Sequence, residues 1–216
     1  MLTLYGINLS TFTRKLRLAL AEKGIDYRFE QAPMGSVRVR ALHPLGKIPV
    51  AEHDGLVIPD SSVIIAYLER LWPQPALYPQ PAASFAQALW LEEYADTRLR
   101  EATLPYFAER IVKPLFQGRH ADESALERAG PLRDEAFAYL ESVVSGRRYA
   151  VDDRLSVADI AIGAQLVTYQ QGAGLPDAAR WPGLARYLDG LVARPAWVTL
   201  LAEEADALAA ARARRR

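Results

Sequence analysis

The pattern of apolar and polar positions divides the chain near residue 78. Before that point, short apolar runs alternate with helical patterns. They predict a strand at 2–5, a helix at 12–23, a strand at 27–31 and a weak turn near 37–42. A strand opened by Pro49, a strand at 56–58 and a helix at 62–71 are expected to follow. After it, apolar residues recur at three and four positions and predict helices at 83–104, 124–144, 157–170, 183–193 and 196–211. An α/β region followed by an all-helical region is therefore expected.

Prolines mark the boundary between the two regions. Four of the ten residues in 72–81 are proline, which disfavours helix and sheet and predicts an extended linker. Pro105 and Pro114 are expected to kink or end the first long helix of the second region. We predict domains at 1–78 and 83–216, joined by residues 79–82.

The segment from Gly46 to Ser62 carries the most functional information. Pro49 cannot donate to a sheet, so it is expected to open an edge-like strand, with a candidate cis bond between Ile48 and Pro49. Asp54-Gly55 predicts a tight turn into a second strand, and Asp60-Ser61 stands where that strand gives way to a helix. Exposed backbone groups would then lie beside a carboxylate, a hydroxyl and helix amides. Such a site suits a small peptide carrying an amine and a carboxylate.

This segment resembles the glutathione-binding half of the thioredoxin-like domain in glutathione transferases. Two further segments, in the same order as in that family, extend the resemblance along nearly the whole chain. One is the strand Leu2-Thr3-Leu4-Tyr5-Gly6, which leads through a loop with Ser10-Thr11 to a helix, and the other is Leu155-Ser156-Val157-Ala158-Asp159-Ile160. The resemblance implies a thioredoxin-like N-terminal domain followed by a helical-bundle C-terminal domain.

The resemblance also implies roles for individual residues. Ser10 lies where phi-class, tau-class and many bacterial enzymes place the serine that contacts the glutathione thiol, and Thr11 is its closest substitute. Asp60 would hold the γ-glutamyl ammonium and Ser61 the adjoining carboxylate. The implied glutathione-binding set is Ser10, Thr11, Lys47, Ile48, Pro49, Asp60 and Ser61. From the residues alone, Ser10, Asp60 and Ser61 could equally be helix caps, and Lys47 a solvated loop lysine.

Other polar and aromatic residues have less specific interpretations. Ser156 and Asp159 form a predicted capping box, and we assign them a structural role. Arg38, Arg40 and His43 are basic candidates without an assigned role. The candidate electrophile site consists of Phe12, Met34, Tyr106 and Phe107, which would face a small apolar second substrate.

Composition excludes several functional classes. The formal net charge of zero gives no electrostatic reason to expect nucleic acid, and the basic residues 212–216 are interpreted as a solvated terminus. The chain has no cysteine, so the reactive sulfur has to arrive with a ligand. The three histidines show no metal-ligand spacing, and no metal is expected. No apolar run is long enough for a membrane span, and a cytoplasmic protein is expected.

These inferences lead to one expected function and two alternatives. The expected function is a serine-type glutathione transferase, a homodimer that conjugates the glutathione thiolate to small electrophiles. The first alternative is a glutathione-dependent isomerase or dehalogenase, in which the thiolate adds and later leaves. The second is a non-catalytic protein of the same fold that binds a partner.

Overall fold

The computed structural model describes residues 1–214, whose contacts group them into two units. Unit 1 contains Met1–Leu77 and Thr199–Ala207, and unit 2 contains Tyr78–Val198 and the chain from Leu208 onward. The predicted domain limits, 1–78, 79–82 and 83–216, stay a prediction. Arg215 and Arg216 of the basic tail lie outside the described residues.

Unit 1 is built on a four-stranded mixed sheet with the strand order β2-β1-β3-β4. The strands are β1 Leu2–Gly6, β2 Arg28–Gln31, β3 Val50–His53 and β4 Leu56–Pro59. β1 runs parallel to β2 and antiparallel to β3, and β3 runs antiparallel to β4. Val50 pairs with Tyr5 on one side and with Pro59 on the other. This is the thioredoxin-like arrangement that was predicted.

Three helices complete the α/β part of unit 1: α1 Thr11–Lys23, α2 Val37–Leu42 and α3 Ser61–Leu71. Gly24 ends α1 in the left-handed conformation, with φ 64°, as expected for a glycine just past a helix. α1 packs against α3. The helices contribute fully buried leucines and isoleucines to the core, among them Leu16, Leu20, Ile64, Ile65 and Leu68.

The prediction that Pro49 opens an edge-like strand is wrong. β3 lies between β1 and β4, but its pairing begins at Val50, so the missing amide of Pro49 costs the ladder nothing. Pro59 is the proline that lies within an edge strand. The predicted cis bond between Ile48 and Pro49 is confirmed, and so is the turn at Asp54-Gly55, where both residues have positive φ.

Unit 2 is helical, as predicted. After α3, the chain forms α4 Ala82–Tyr94, α5 Arg100–Phe107, α6 Glu123–Val144, α7 Val157–Ala173, α8 Pro182–Val192 and α9 Pro195–Ala213. Of α9, Thr199–Ala207 belong to unit 1. π-helical turns occupy Ala95–Leu99 and Ala108–Gln117. Pro105 lies within α5 and Pro114 within the second π-helical segment, so neither proline ends the helical backbone. At Pro114 the wider π-helical turn accommodates a residue that cannot donate the regular hydrogen bond. Among residues 1–214, no helix is long and apolar enough to cross a membrane.

The start of α7 is fixed by a buried carboxylate. Asp159 is 0% exposed and accepts hydrogen bonds from the amides of Ala150 and Ser156, at 2.7 and 2.8 Å. It also accepts from the hydroxyls of Tyr187 and Ser156, at 2.7 and 3.0 Å. Burial raises the pKa of the Asp159 carboxyl, while these hydrogen bonds oppose the rise. The structural role predicted for Ser156 and Asp159 agrees with this geometry.

We predict that Asp159→Ala loses roughly 3 kcal/mol or more of unfolding free energy, because several buried donors lose their acceptor. Ser156→Ala removes only one hydroxyl and is expected to lose about 0.5–2 kcal/mol. Urea unfolding followed by circular dichroism measures both. Equal losses for the two variants would contradict the central position of Asp159 in this network.

Candidate functional site

The sheet register brings three segments to one end of the sheet. Val50 pairs with the end of β1 and with the end of β4. Three segments therefore lie at the same end of the sheet. They are the loop after β1 with the first residue of α1, the residues that precede Val50, and the residues that follow Pro59. These segments contain all seven residues of the implied glutathione-binding set.

Ser10 ends the loop and caps α1. Its backbone is extended, with φ −77° and ψ 120°, and its hydroxyl oxygen accepts from the amide of Thr13 at 3.4 Å. Thr11 is the first residue of α1. Leu9 has φ 72°, which is unusual for a non-glycine residue and often accompanies functional sites. The cap uses a lone pair of Ser10, and the hydroxyl proton has no acceptor among the described residues.

Arg17 braces this loop, and the sequence analysis did not identify it. Its guanidinium donates to Asn8 Oδ1 at 3.1 Å, to the Tyr27 hydroxyl at 2.7 Å and to Glu203 at 2.6 Å. It also lies over the ring of Phe29, 4.6 Å from the centroid. The signal in the sequence was a cluster of basic residues within an apolar helical pattern, which indicates buried and paired charges.

The second segment presents open backbone. The side chain of Ile48 packs against a buried cluster that includes Tyr5, Val39 and Val50. No described residue makes a hydrogen bond to the amide or the carbonyl of Ile48. Pro49 is buried, whereas Lys47 is exposed and has no ion pair or hydrogen bond within the described residues. The side chain of Ile48 is thus anchored while its backbone remains available to an extended peptide.

The third segment begins α3. Asp60 is the N-cap, and its Oδ1 accepts from the amides of Ser62 and Val63 at 2.9 and 3.2 Å. Its backbone is strained, with φ 76° and ψ 133°. Ser61 is 2% exposed, and neither its amide nor its hydroxyl has a hydrogen-bond partner among the described residues. Asp60 Oδ2 and both Ser61 donors therefore remain for a ligand.

The three basic residues without predicted roles have different locations and hydrogen-bond partners in the structure. Arg38 donates to the Tyr5 hydroxyl at 2.7 Å on the sheet surface. His43 is buried, and its Nδ1 accepts from the amide of Leu45 at 3.0 Å. Arg40 is exposed, and its Nε donates to the carbonyl of Gly35. Its side chain lies close to Gly46, the residue before Lys47, so Arg40 is the one of the three that adds a cation beside the site.

The four candidate electrophile residues lie in both units. In unit 1, Phe12 belongs to α1 and Met34 to a loop, where it is 68% exposed. In unit 2, Tyr106 and Phe107 are mostly buried on α5. Tyr106 lines a cavity of about 550 Å³ together with Arg110, Arg133 and Tyr169. Arg133 donates to the Tyr106 hydroxyl at 3.1 Å, so this cavity is more polar than the predicted apolar site.

Taken together, the groups in unit 1 suit one class of ligand. Ile48 offers main-chain pairing, Asp60 a carboxylate oxygen and Ser61 two donors. Among residues 1–214, no cluster of three or more His, Cys, Asp or Glu side chains could hold a metal ion. Unit 1 is therefore a thioredoxin-like domain with polar groups that match the main chain, ammonium and carboxylate of a small peptide.

Comparison with known proteins identifies the family. Residues 4–76 match the model for the N-terminal domain of glutathione S-transferases, and residues 94–195 match the model for the C-terminal domain. The chain belongs to the glutathione transferase superfamily.

Individual relatives agree with this assignment. A glutathione S-transferase from Rhodospirillum rubrum F11 has a crystal structure with a TM-score of 0.85 and 30% identity, covering 93% of this chain and 92% of that one. Glutathione S-transferase 1 of Dianthus caryophyllus is 28% identical over 83% of this chain and 81% of its own length. The maleylacetoacetate isomerase of Pseudomonas aeruginosa is also 28% identical, over 90% of this chain and 92% of its own length. The chain therefore resembles both transferases and an isomerase.

The strained cap predicts an order of stability among Asp60 variants. Asp60→Ala loses the cap and keeps a β-carbon at positive φ, so we expect a loss of about 1–3 kcal/mol. Asp60→Gly relieves the backbone strain and is expected to lose less. Asp60→Asn keeps a capping oxygen and should remain within about 0.5 kcal/mol of the parent. Thermal and urea unfolding check this order, and a glycine variant less stable than the alanine variant would contradict it.

Proposed function

We propose that this protein is a serine-type glutathione transferase that conjugates the glutathione thiolate to small electrophiles. The observation that carries this proposal is the set of unpaired groups at one end of the sheet. These are the Ser10 hydroxyl proton, the backbone of Ile48, Asp60 Oδ2 and the two donors of Ser61. Family membership supports glutathione as the ligand that uses them.

Glutathione has a chemical group for each of these positions. Its cysteinyl unit would pair with the backbone of Ile48 in the manner of an added strand. Asp60 would hold the γ-glutamyl ammonium, and the amide and hydroxyl of Ser61 would hold the adjoining carboxylate. Lys47 and Arg40 are the cations proposed for the glycine carboxylate at the other end. Pro49 would keep the backbone of Ile48 in place.

Ser10 is proposed to stabilise the thiolate and not to act as a base. An ordinary thiol pKa is about 8.5, and lowering it by about two units needs about 2.7 kcal/mol. A hydrogen bond to a charged acceptor supplies about 1.5–3 kcal/mol, and the N-terminal end of α1 can add up to about 1 kcal/mol. Because the Ser10 oxygen also accepts from Thr13, its hydroxyl is oriented and polarised as a donor. These contributions are sufficient to lower the thiol pKa by this amount, and the serine hydroxyl does not have to ionise.

The second substrate is proposed to be a small electrophile. The candidate residues for this substrate remain the four named from the sequence: Phe12, Met34, Tyr106 and Phe107. Burial raises the pKa of Tyr106, and its hydroxyl, which accepts from Arg133, can donate its proton to an electrophile that carries an oxygen. Incubation with glutathione and model aryl halides or enones tests this part of the proposal. The loss of free thiol measures conjugation.

Glutathione binding should depend on the charge of Asp60. Asp60→Asn keeps the cap but loses the ion pair with the ammonium, so we expect at least tenfold weaker binding with little change in stability. Asp60→Ala should weaken binding to a similar extent. Isothermal titration calorimetry measures both. Absence of binding by the parent protein, or unchanged affinity in the asparagine variant, would contradict the ligand assignment.

The thiol pKa of bound glutathione should depend on Ser10. Ser10→Ala is expected to raise this pKa by about one to two units, which corresponds to the loss of about 1.5–3 kcal/mol of thiolate stabilisation. Turnover near neutral pH should fall about ten- to a hundredfold, while glutathione affinity changes much less. The pH profile of turnover and the ultraviolet absorbance of the bound thiolate measure the shift.

Two variants separate the donor role from the cap. Ser10→Gly also lacks the hydroxyl but keeps most of the capping stability, so it should raise the thiol pKa as much as Ser10→Ala does. Thr11→Ala should leave the pKa unchanged. If Thr11→Ala raises the pKa and the Ser10 variants do not, the donor is Thr11.

The isomerase relative supports a second candidate function. In that reaction glutathione adds to the substrate and leaves again, so it is not consumed. Incubation with maleylacetoacetate distinguishes the two functions, because isomerisation proceeds at constant thiol whereas conjugation consumes one thiol for each product. A dehalogenase would release halide from a haloalkane or haloarene.

Two further parts of the proposal concern assembly and a role without catalysis. Family resemblance supports a homodimer with one glutathione site in each subunit, and sedimentation equilibrium measures the mass.

A non-catalytic, partner-binding protein of this fold would have no need for an ordered donor at Ser10. Glutathione binding without turnover of any electrophile class would favour that alternative.

A further inference from the structure

The N-terminus of α3 keeps two donors and lies close to a buried cation. Asp60 satisfies the amides of Ser62 and Val63, while the amide and hydroxyl of Ser61 stay without partners among the described residues. Ser61 is itself 2% exposed. The helix has eleven residues, and its N-terminal end carries a partial positive charge. A buried polar side chain without a partner at this end indicates an anion-binding site.

The cation is Lys15 of α1. It is 1% exposed, and its ammonium donates to the Ser62 hydroxyl oxygen at 2.7 Å. A buried ammonium beside a helix N-terminus adds its field to that of the helix dipole. Positive charge in this position is unfavourable for the helix alone but favourable once an anion binds there. The hydrogen bond also connects α1 to the first turn of α3, which carries Ser61.

We propose that Lys15 is a positioning residue for the α-carboxylate of the γ-glutamyl group. The inference rests on the proposed function, since glutathione is the ligand that would bring this carboxylate to Ser61. Lys15 acts in two ways. It holds Ser62, and with it the turn that presents the Ser61 donors, and it raises the electrostatic potential where the carboxylate binds. The carboxylate itself is bound by Ser61.

The decisive variant is Lys15→Met, which keeps the length of the side chain and removes its charge. We expect glutathione to bind about tenfold more weakly, equivalent to about 1.4 kcal/mol. The KM for glutathione should rise by the same factor, while kcat at saturating glutathione stays within about twofold. The thiol pKa of bound glutathione should not move, because the affected carboxylate is at the other end of the γ-glutamyl group.

A ligand variant separates this role from a merely structural one. The probe is γ-aminobutyryl-cysteinylglycine, which is glutathione without the α-carboxylate. The parent should bind this probe more weakly than glutathione, and Lys15→Met should bind it as well as the parent does. A general disturbance of the fold would weaken both ligands equally. Lys23→Met is the matched control, because Lys23 is another buried lysine of α1, paired with Glu69, and its loss should leave glutathione affinity unchanged.

Ser62→Ala is a second, independent test of the positioning role of Lys15. It keeps Lys15 but removes the Ser62 oxygen to which the ammonium donates, and a loss of about threefold in glutathione affinity is expected. If Lys15→Met does not fold, this variant decides, and unchanged affinity overturns the inference. If the parent binds glutathione and Lys15→Met binds it equally well, the inference fails while the proposed function stands. If the parent does not bind glutathione, both fail.

Discussion

The candidate site depends on the position of Val50 in the sheet. This one residue pairs with Tyr5 of β1 and with Pro59 of β4, so it fixes the register of three strands at the end where the ligand groups lie. A shift of one residue in either pairing would turn the side chains of a strand to the opposite face. It would also move Ile48 or Asp60 by about 3.3 Å along the strand direction. Such a displacement is enough to break a set of hydrogen bonds to one small ligand. Burial of Val50 and its neighbours therefore stabilises the geometry of the site as well as the fold.

Several candidate residues combine a structural role with polar groups that remain for the proposed ligand. The capping and functional interpretations of Ser10 and Asp60 were alternatives at the level of sequence, and the geometry makes them compatible. Ser10 caps α1 through a lone pair and retains its proton, and Asp60 caps α3 through one oxygen and retains the other. A ligand that uses the remaining proton or oxygen meets a side chain that is already held in place, so less conformational entropy is lost on binding.

Local sequence signals predicted the elements well where the physical cause is also local. Gly24 ends α1, Asp54-Gly55 forms the turn and the Ser156–Asp159 pair starts α7, each as expected. The error at Pro49 has a different origin, because a proline reveals its own missing amide but not which strand will lie beside the following residue. The basic residues of α1 were missed for a similar reason. Their partners Glu203 and Glu204 lie near the other end of the chain, and no pattern within α1 points to them.

The buried ion pair between Arg14 and Glu204 has a consequence for how the protein is made. Both side chains are almost fully buried, the carboxylate accepts from two nitrogens of the guanidinium, and the partners are 190 residues apart. A ribosome adds residues from the N-terminus, so all of β1 to β4 leaves the exit tunnel while Glu204 has not yet been synthesised. During that interval Arg14 cannot form its buried ion pair with Glu204. The first helix of the sheet domain therefore reaches its final environment only after Glu204 has been synthesised.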